Sequence, residues 1–403
     1  MKNPSRVRLF GPLQEFGAGF VGELERLGYS PVGATLQVRL MARVSGWMQA
    51  EGLVPGGLSD DVVERFLEAR RAAGHRDYVT TRAVAPLLAY LREFGVVPAA
   101  SPPSCPSTRA EVLGERFRAY LSVERGLAKG TVTGYVDAVK PFLACLDDEG
   151  LDLRGLSAGR VTAFVVARCP GQSRGAAKMT VCALRSLLGF LHVEGLIAES
   201  LIGAVPSAAS WRLSGLPRFL EPGQAQALLE SCDQQTVGGR RDLAILTLLL
   251  RLGLRAGEVA GLSLEDVDWR AGELVVVGKG RRSERLPLPV DVGEAISGYL
   301  SDGRPGSALD RTVFIRIKAP LRRLSTGGIT QVVFAAGQRA GLGQIHAHRL
   351  RHTAATSMLR AGAPLAEIGQ VLRHREALST AIYAKVDRAA LNSLSRPWPG
   401  AGA

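Results

Sequence analysis

The sequence predicts a mainly α-helical, multidomain protein: two tandem small helical bundles, then a larger, mostly helical α+β domain with one small antiparallel sheet. Three observations carry this. Apolar residues recur at helical spacing in both halves of the 403 residues. Short matches repeat through the first half at a nearly constant offset. Strand character is concentrated in one stretch, Glu273 to Leu288.

The repeat defines the first half. Glu51-Gly52-Leu53 recurs as Glu149-Gly150-Leu151, Gly57-Leu58-Ser59 as Gly155-Leu156-Ser157 and Ala69-Arg70 as Ala167-Arg168. Further on, Leu87-Leu88-Ala89-Tyr90-Leu91 is echoed by Leu187-Leu188-Gly189-Phe190-Leu191, two positions later than that register, as an insertion in a loop would produce. Two copies of one module follow, residues 1–98 and 109–206, with a stiff proline-rich linker at 99–108. Each begins with an amphipathic helix, through Leu36, Leu40, Val44 and Trp47 in the first and Val132, Val136, Val139 and Leu143 in the second. Each ends with another, running to Phe94 and to His192. A second linker, 207–217, leads to a domain at 218–390 and a tail at 391–403.

In that last domain a nearly all-apolar helix (Leu243 to Leu250) gives way at Gly253 to Arg255, with Glu258 one turn on and able to orient its guanidinium. Two strands, Glu273–Val277 and Glu284–Leu288, flank a glycine-bearing turn that presents Lys279. A later helix carries His348 and Arg351 on one face, with Leu350, Ala354, Ala355, Met358 and Leu359 lining the other. Gly362 stops it, Pro364 is expected as the first residue of the next helix, and that helix buries Leu365, Ile368 and Leu372 and delivers Arg373 and His374 as a cationic edge. Tyr383 follows nine residues after His374. His346, His348 and His352 can also be read as a metal site from their spacing, but Arg349 and Arg351 set fixed cations among them and neither carboxylate nor cysteine joins, so no metal is assigned.

Taken in order, Arg255 in LGLRAGEV, Lys279 in GKGRRSERLPLP, His348 and Arg351 in HRLRHT, His374 in LRHRE and Tyr383 in AIYAKV resemble the catalytic set of the tyrosine recombinases, the phage-integrase type of site-specific recombinase. All six positions match over roughly residues 218 to 390. The second module, with ERGLAKGTVTGY at its start, resembles the family's core-binding domain, a helical bundle that clamps DNA; Lys129, Arg174, Lys178 and Arg185 are its candidate DNA contacts. The resemblance implies a homo-tetramer on two double-stranded DNA sites, accessory DNA-bending or directionality proteins, and a nucleoid-associated protein encoded by a bacterium or phage; a cytoplasmic location is expected from the absence of signal-peptide and membrane-length runs.

The chemistry fits these side chains. Cleaving a phosphodiester needs cations at the non-bridging oxygens, an in-line nucleophile and a proton for the leaving oxygen. Arg255 and Arg351 suit the first task, because a planar fork pairs with phosphate oxygens and stays charged. Tyr383 is the candidate nucleophile, and His348 its base, since a phenol of pKa about 10 needs help at neutral pH. Lys279 would protonate the 5′ oxygen, and His374 would add a hydrogen bond to the phosphate. The resemblance implies a 3′-phosphotyrosyl intermediate resealed without metal, ATP or other cofactor.

Composition is permissive. A formal charge of +13 points to a polyanionic partner. The N-terminus lacks a signal-peptide h-region, no apolar run is expected to reach membrane-spanning length, and five scattered cysteines indicate neither a disulfide framework nor zinc. The first module could be a further DNA clamp or a contact between protomers, its Arg39, Arg43, Arg65, Arg70, Arg71 and Arg76 favouring DNA. Two other readings use the same residues: a strand-relaxing enzyme like the type IB topoisomerases, and a non-catalytic DNA-binding protein.

Overall fold

The computed structural model describes residues 3–99, 108–148, 150, 152–207, 217–278, 282–373 and 380–386. The chain divides into two compact units, 1–99 together with 215–403, and 100–214.

The first module holds α1 (Gly17–Arg26), α2 (Pro31–Ala50), α3 (Asp60–Ala72) and α4 (Thr81–Glu93). Ser30 caps α2 and Ser59 caps α3, each hydroxyl accepting an otherwise unpaired N–H of the first turn. The apolar stripes meet around Phe20, Met41, Val44, Leu67, Leu87 and Leu91, all buried. This core is separate from the others and belongs to the same unit as the last domain. The Leu27 carbonyl accepts the Leu321 N–H at 2.9 Å. Gly28, at φ +78°, lies so close to the Leu321 side chain that a Cβ would come within 2.3 Å of its Cδ1.

The second module holds α5 (Arg109–Ala119), α6 (Lys129–Asp148), α7 (Ala158–Arg168) and α8 (Arg174–Val193). Thr108 and Glu111 close a reciprocal cap on α5. The repeat is visible in three dimensions, since α6, α7 and α8 follow the order and spacing of α2, α3 and α4. The sequence reading began each module one helix late, at α2 and α6. Contrary to the sequence expectation, α8 is long and apolar enough to cross a membrane by length and composition. Its Leu184, Leu187, Leu188 and Leu191 are buried in the bundle core, which accounts for the apolar run.

The last domain holds α9 (Pro222–Glu230), α10 (Val237–Arg251), α11 (Ala256–Gly261), β1 (Val267–Asp268), β2 (Glu273–Val277), β3 (Ser283–Pro287), α12 (Val290–Asp302), α13 (Thr326–Arg339), α14 (Ala347–Arg360) and α15 (Leu365–Val371). The strands form an antiparallel sheet in the order β1-β2-β3, with Leu274 opposite Leu286 and Val277 opposite Ser283. Helix α10 runs through the centre: Ala244, Ile245, Leu246, Leu248 and Leu249 have no exposed surface, and α12, α13 and α14 all pack against it. A smaller cluster, Ala355, Ile368, Leu372 and Tyr383, closes the far side of α14. Pro364 precedes α15 as its cap rather than occupying its first turn.

Candidate active site

The site is built where α10 ends. Gly253 adopts φ +58°, and a Cβ there would lie 2.5 Å from Leu372 Cδ2 and 3.3 Å from Ala354 Cβ, so only glycine lets the chain turn this close to α14 and α15. Two residues on, Arg255 caps α11. The Glu258 carboxylate reaches back to accept the Arg255 N–H at 2.8 Å and its Nη1 at 2.6 Å. The predicted orientation of Arg255 by Glu258 is therefore seen in the geometry.

Arg351 is 2 % exposed, deeper than a purely surface-facing helix residue would be. Its Nη1 donates to the Gly253 carbonyl at 2.6 Å and its Nη2 to the Leu372 carbonyl. Burial first, then repulsion from Arg255 and Arg373, lowers its pKa to about 10. It stays charged at neutral pH, a cation already stripped of water. Helix α14 is pinned beneath it, because Thr353 Oγ1 accepts the Leu220 N–H at 2.9 Å and Arg360 pairs with Glu221.

Arg255, His346, His348 and Arg351 line one cleft of about 400 Å³, with Gly257, Thr326 and Thr330 completing its wall. Two arginines and two histidines thus face a single space large enough for a phosphodiester. His348 is exposed to it. The cleft walls desolvate the ring, and Arg351 and Arg255 add repulsion; together they hold its pKa below the ordinary histidine value.

Tyr383 lies elsewhere. Its side chain is 1 % exposed, and its hydroxyl lies 2.8 Å from Nδ1 of His352. His348, the expected base, does not make this contact; its ring stacks edge-on to His352 with centroids 4.3 Å apart. His352 therefore stands between the cleft and the phenol. Burial, then repulsion from His348 and Arg351, lowers its pKa to about 4, so it is neutral and able to accept the phenolic proton in a hydrogen bond. Burial pushes the Tyr383 phenol above its ordinary value, with Arg351 opposing. In sequence the one-turn spacing of His348 and His352 reads as a metal pair, and nothing local marks His352 as the partner of the phenol. Among the described residues no group of three or more His, Cys, Asp or Glu could hold a metal.

Arg373, expected from sequence to form part of a cationic edge, is buried instead. It is 8 % exposed and its Nη2 donates to Glu258 Oε2 at 2.8 Å. Its backbone is left-handed at φ +54°, a conformation that costs a residue with a Cβ about 1–2 kcal/mol. Lys279 and His374 lie outside the described residues. So do the tail from 387 onward and most of both linkers.

The candidate DNA contacts in the second module divide. Lys129, Arg174 and Lys178 are exposed at the starts of α6 and α8. Arg185 is half-buried, and its Nη2 donates to the Val205 carbonyl and Ser207 Oγ at 2.9 and 3.0 Å, which gives it a structural task the sequence did not show. In the first module Arg65 pairs with Glu51, Arg71 with Glu64, and Arg70 is buried against the Asp77 carbonyl. Arg39, Arg43 and Arg76 are exposed.

Residues 218–389 match the phage integrase family, and residues 115–195 match the phage integrase N-terminal SAM-like domain. The chain is 37% identical over 394 residues to y4rA of Sinorhizobium fredii, a candidate integrase/recombinase by name, covering 97% of this chain and 95% of that one. It is 32% identical over 299 residues to the tyrosine recombinase XerD of Mycobacterium tuberculosis, covering 70% and 94%. Among solved structures it resembles the site-specific recombinase XerH bound to palindromic difH substrate in a post-cleavage complex, with a TM-score of 0.57, 18% identity and coverage of 82% and 93%. That likeness concerns the fold.

Proposed function

Since the chain belongs to the phage integrase family of tyrosine recombinases, enzymes that cut and rejoin DNA strands, we propose that it is a site-specific recombinase working through a 3′-phosphotyrosyl intermediate without metal or ATP. The observation that carries this is the cleft in which Arg255, Arg351 and His348 meet, one turn of α14 away from the residue that holds the Tyr383 hydroxyl.

In this reading the scissile phosphate enters the cleft and its non-bridging oxygens take the outward N–H groups of Arg255 and Arg351. Both arginines are already held through other N–H groups, so little reorganisation accompanies binding. Tyr383 leaves His352, its Oη bonds to phosphorus, and the bond to the 5′ oxygen breaks. His348, uncharged at neutral pH, takes the phenolic proton. Lys279 gives a proton to the departing 5′ oxygen and His374 bonds the phosphate, the roles assigned from sequence. The phosphotyrosyl ester keeps the energy of the broken bond, so another strand's 5′ hydroxyl reseals it and restores the phenol. Two DNA sites and four protomers would complete the exchange.

The second module acts as the DNA clamp, through Lys129, Arg174 and Lys178. Exposed Arg39 and Arg43, one turn apart on α2, support DNA as a partner of the first module as well. Nicked duplexes cut from the DNA flanking the gene test the proposal. Wild type should form a denaturant-resistant adduct, and paired sites should recombine. No adduct on any such duplex would reject the reading, while relaxation of supercoils with no need for paired sites would favour a topoisomerase. For the first module, Arg39→Glu with Arg43→Glu should shorten the footprint; an unchanged footprint would reject a DNA role there.

A further inference from the structure

Arg373 has no role in the scheme above, yet it is among the most constrained residues in the site. Its guanidinium is buried against one oxygen of Glu258 while Arg255 holds the other, so a single carboxylate is shared between two arginines. Burial pushes the Glu258 carboxyl up, but the Arg255 N–H bond and both guanidinium groups outweigh it and hold the group ionised below the usual carboxylate range. Arg373 Nε, also buried, has no hydrogen-bond partner among the described residues. The left-handed turn of Arg373 aims two carbonyls inward: Leu372 accepts from Arg351, and Arg373 itself accepts from Arg255 Nη2 at 3.3 Å. Glycine would adopt this turn without strain. A side chain kept at such a place, and paired there, is doing something the turn alone does not require.

We propose that Arg373 is a positioning residue for phosphate capture, acting on Arg255 through their shared carboxylate. The reasoning is electrostatic. Were Glu258 paired with Arg255 alone, a full negative charge would sit against that guanidinium and cancel much of its pull on a phosphate. With Arg373 on the other oxygen the trio carries a net positive charge, and Arg255 keeps its orientation from Glu258 without surrendering its charge to it. This inference rests on the reading of Arg255 as a phosphate ligand.

Arg373→Gly in the full chain tests it, because that variant keeps the turn while removing the side chain, its guanidinium and that group's bonds to Glu258 and to the Val371 carbonyl. It should melt within a few degrees of wild type, bind duplex DNA with unchanged affinity, and form adduct about tenfold more slowly. Arg373→Lys should recover part of the loss. On a duplex whose scissile phosphate is a neutral methylphosphonate the deficit should shrink, since less charge has to be met; a purely structural role would leave it unaltered. In a Glu258→Gln background Arg373→Gly should have little further effect, since the charge it offsets is gone. A second readout needs no cleavage: inorganic phosphate is titrated into both proteins and followed at the Arg255 Nε–H resonance, with several-fold weaker binding expected in Arg373→Gly. Equal adduct rates, or equal phosphate binding at Arg255, would overturn the proposal. Phosphate binding that weakens as stated in a protein that makes no adduct would sink the recombinase reading and leave this one standing.

Discussion

The arginines and the tyrosine of this site are held in opposite ways. Arg255 and Arg351 are fixed by Glu258 and by the carbonyls of Gly253, Leu372 and Arg373, and both line the open cleft. Tyr383 is enclosed, its hydroxyl turned to His352 and its ring packed with Ala355, Ile368 and Leu372. One half of the chemistry is assembled in advance and the other is stored. Under the proposed mechanism the difference says where control lies: the charge meant for phosphate needs no rearrangement, whereas the proposed nucleophile has to be released, so assembly on DNA would govern the second step without altering the first.

The largest expected effect tests the stored half. Tyr383→Phe should abolish adduct formation by a factor of at least about 10³ while leaving DNA affinity unchanged, read on a denaturing gel. An adduct persisting in this variant would move the nucleophile elsewhere. The assembled half comes next. Arg351→Ala should slow cleavage by about 10²–10³ and also lower the melting temperature, since two inward carbonyls lose their donor at about 1–3 kcal/mol each. A variant with normal stability would show that the guanidinium serves only phosphate.

His352 separates the halves by pH. Its folded pKa, about 4, lies below the ordinary 6.5. The unfolded chain therefore binds a proton there that the fold refuses. Stability from this group is complete above pH 6.5 and declines as pH falls toward 4, by up to about 3 kcal/mol. Denaturant melts at pH 7.5 and 4.5 should show the loss in wild type and a smaller one in His352→Gln. Gly253→Ala should be milder, costing about 1–3 kcal/mol through its left-handed backbone and the approach of Leu372, with cleavage slowed because both arginines are anchored around that turn.

Much of this was readable in the amino-acid order, for physical reasons. The apolar run of α10, the strand pair and the His348/Arg351 face each declare themselves within a few residues, because helix and strand periods write the buried face into local spacing. The repeat exposed the modular first half in the same way. Helices α1 and α5 were missed: α5 buries only Leu113, Gly114 and Phe117 and leaves Val112 exposed, so its pattern is faint. The burial of Arg373 was hidden because it sits in a run of charged residues that reads as solvent-facing. His352's partner is 31 positions away, and nothing local marks which histidine of the pair the phenol will meet. Arg185 illustrates the converse, a cation whose spacing suits a DNA groove but whose donors are occupied by Val205 and Ser207.

The seating of Leu321 against Gly28 has a practical corollary. Anyone who trims the polypeptide to its last domain removes the cover from a leucine and strips its amide of an acceptor. Such a fragment would present a greasy, hydrogen-bond-hungry spot on its outside and is apt to clump or lose activity for reasons unconnected with DNA.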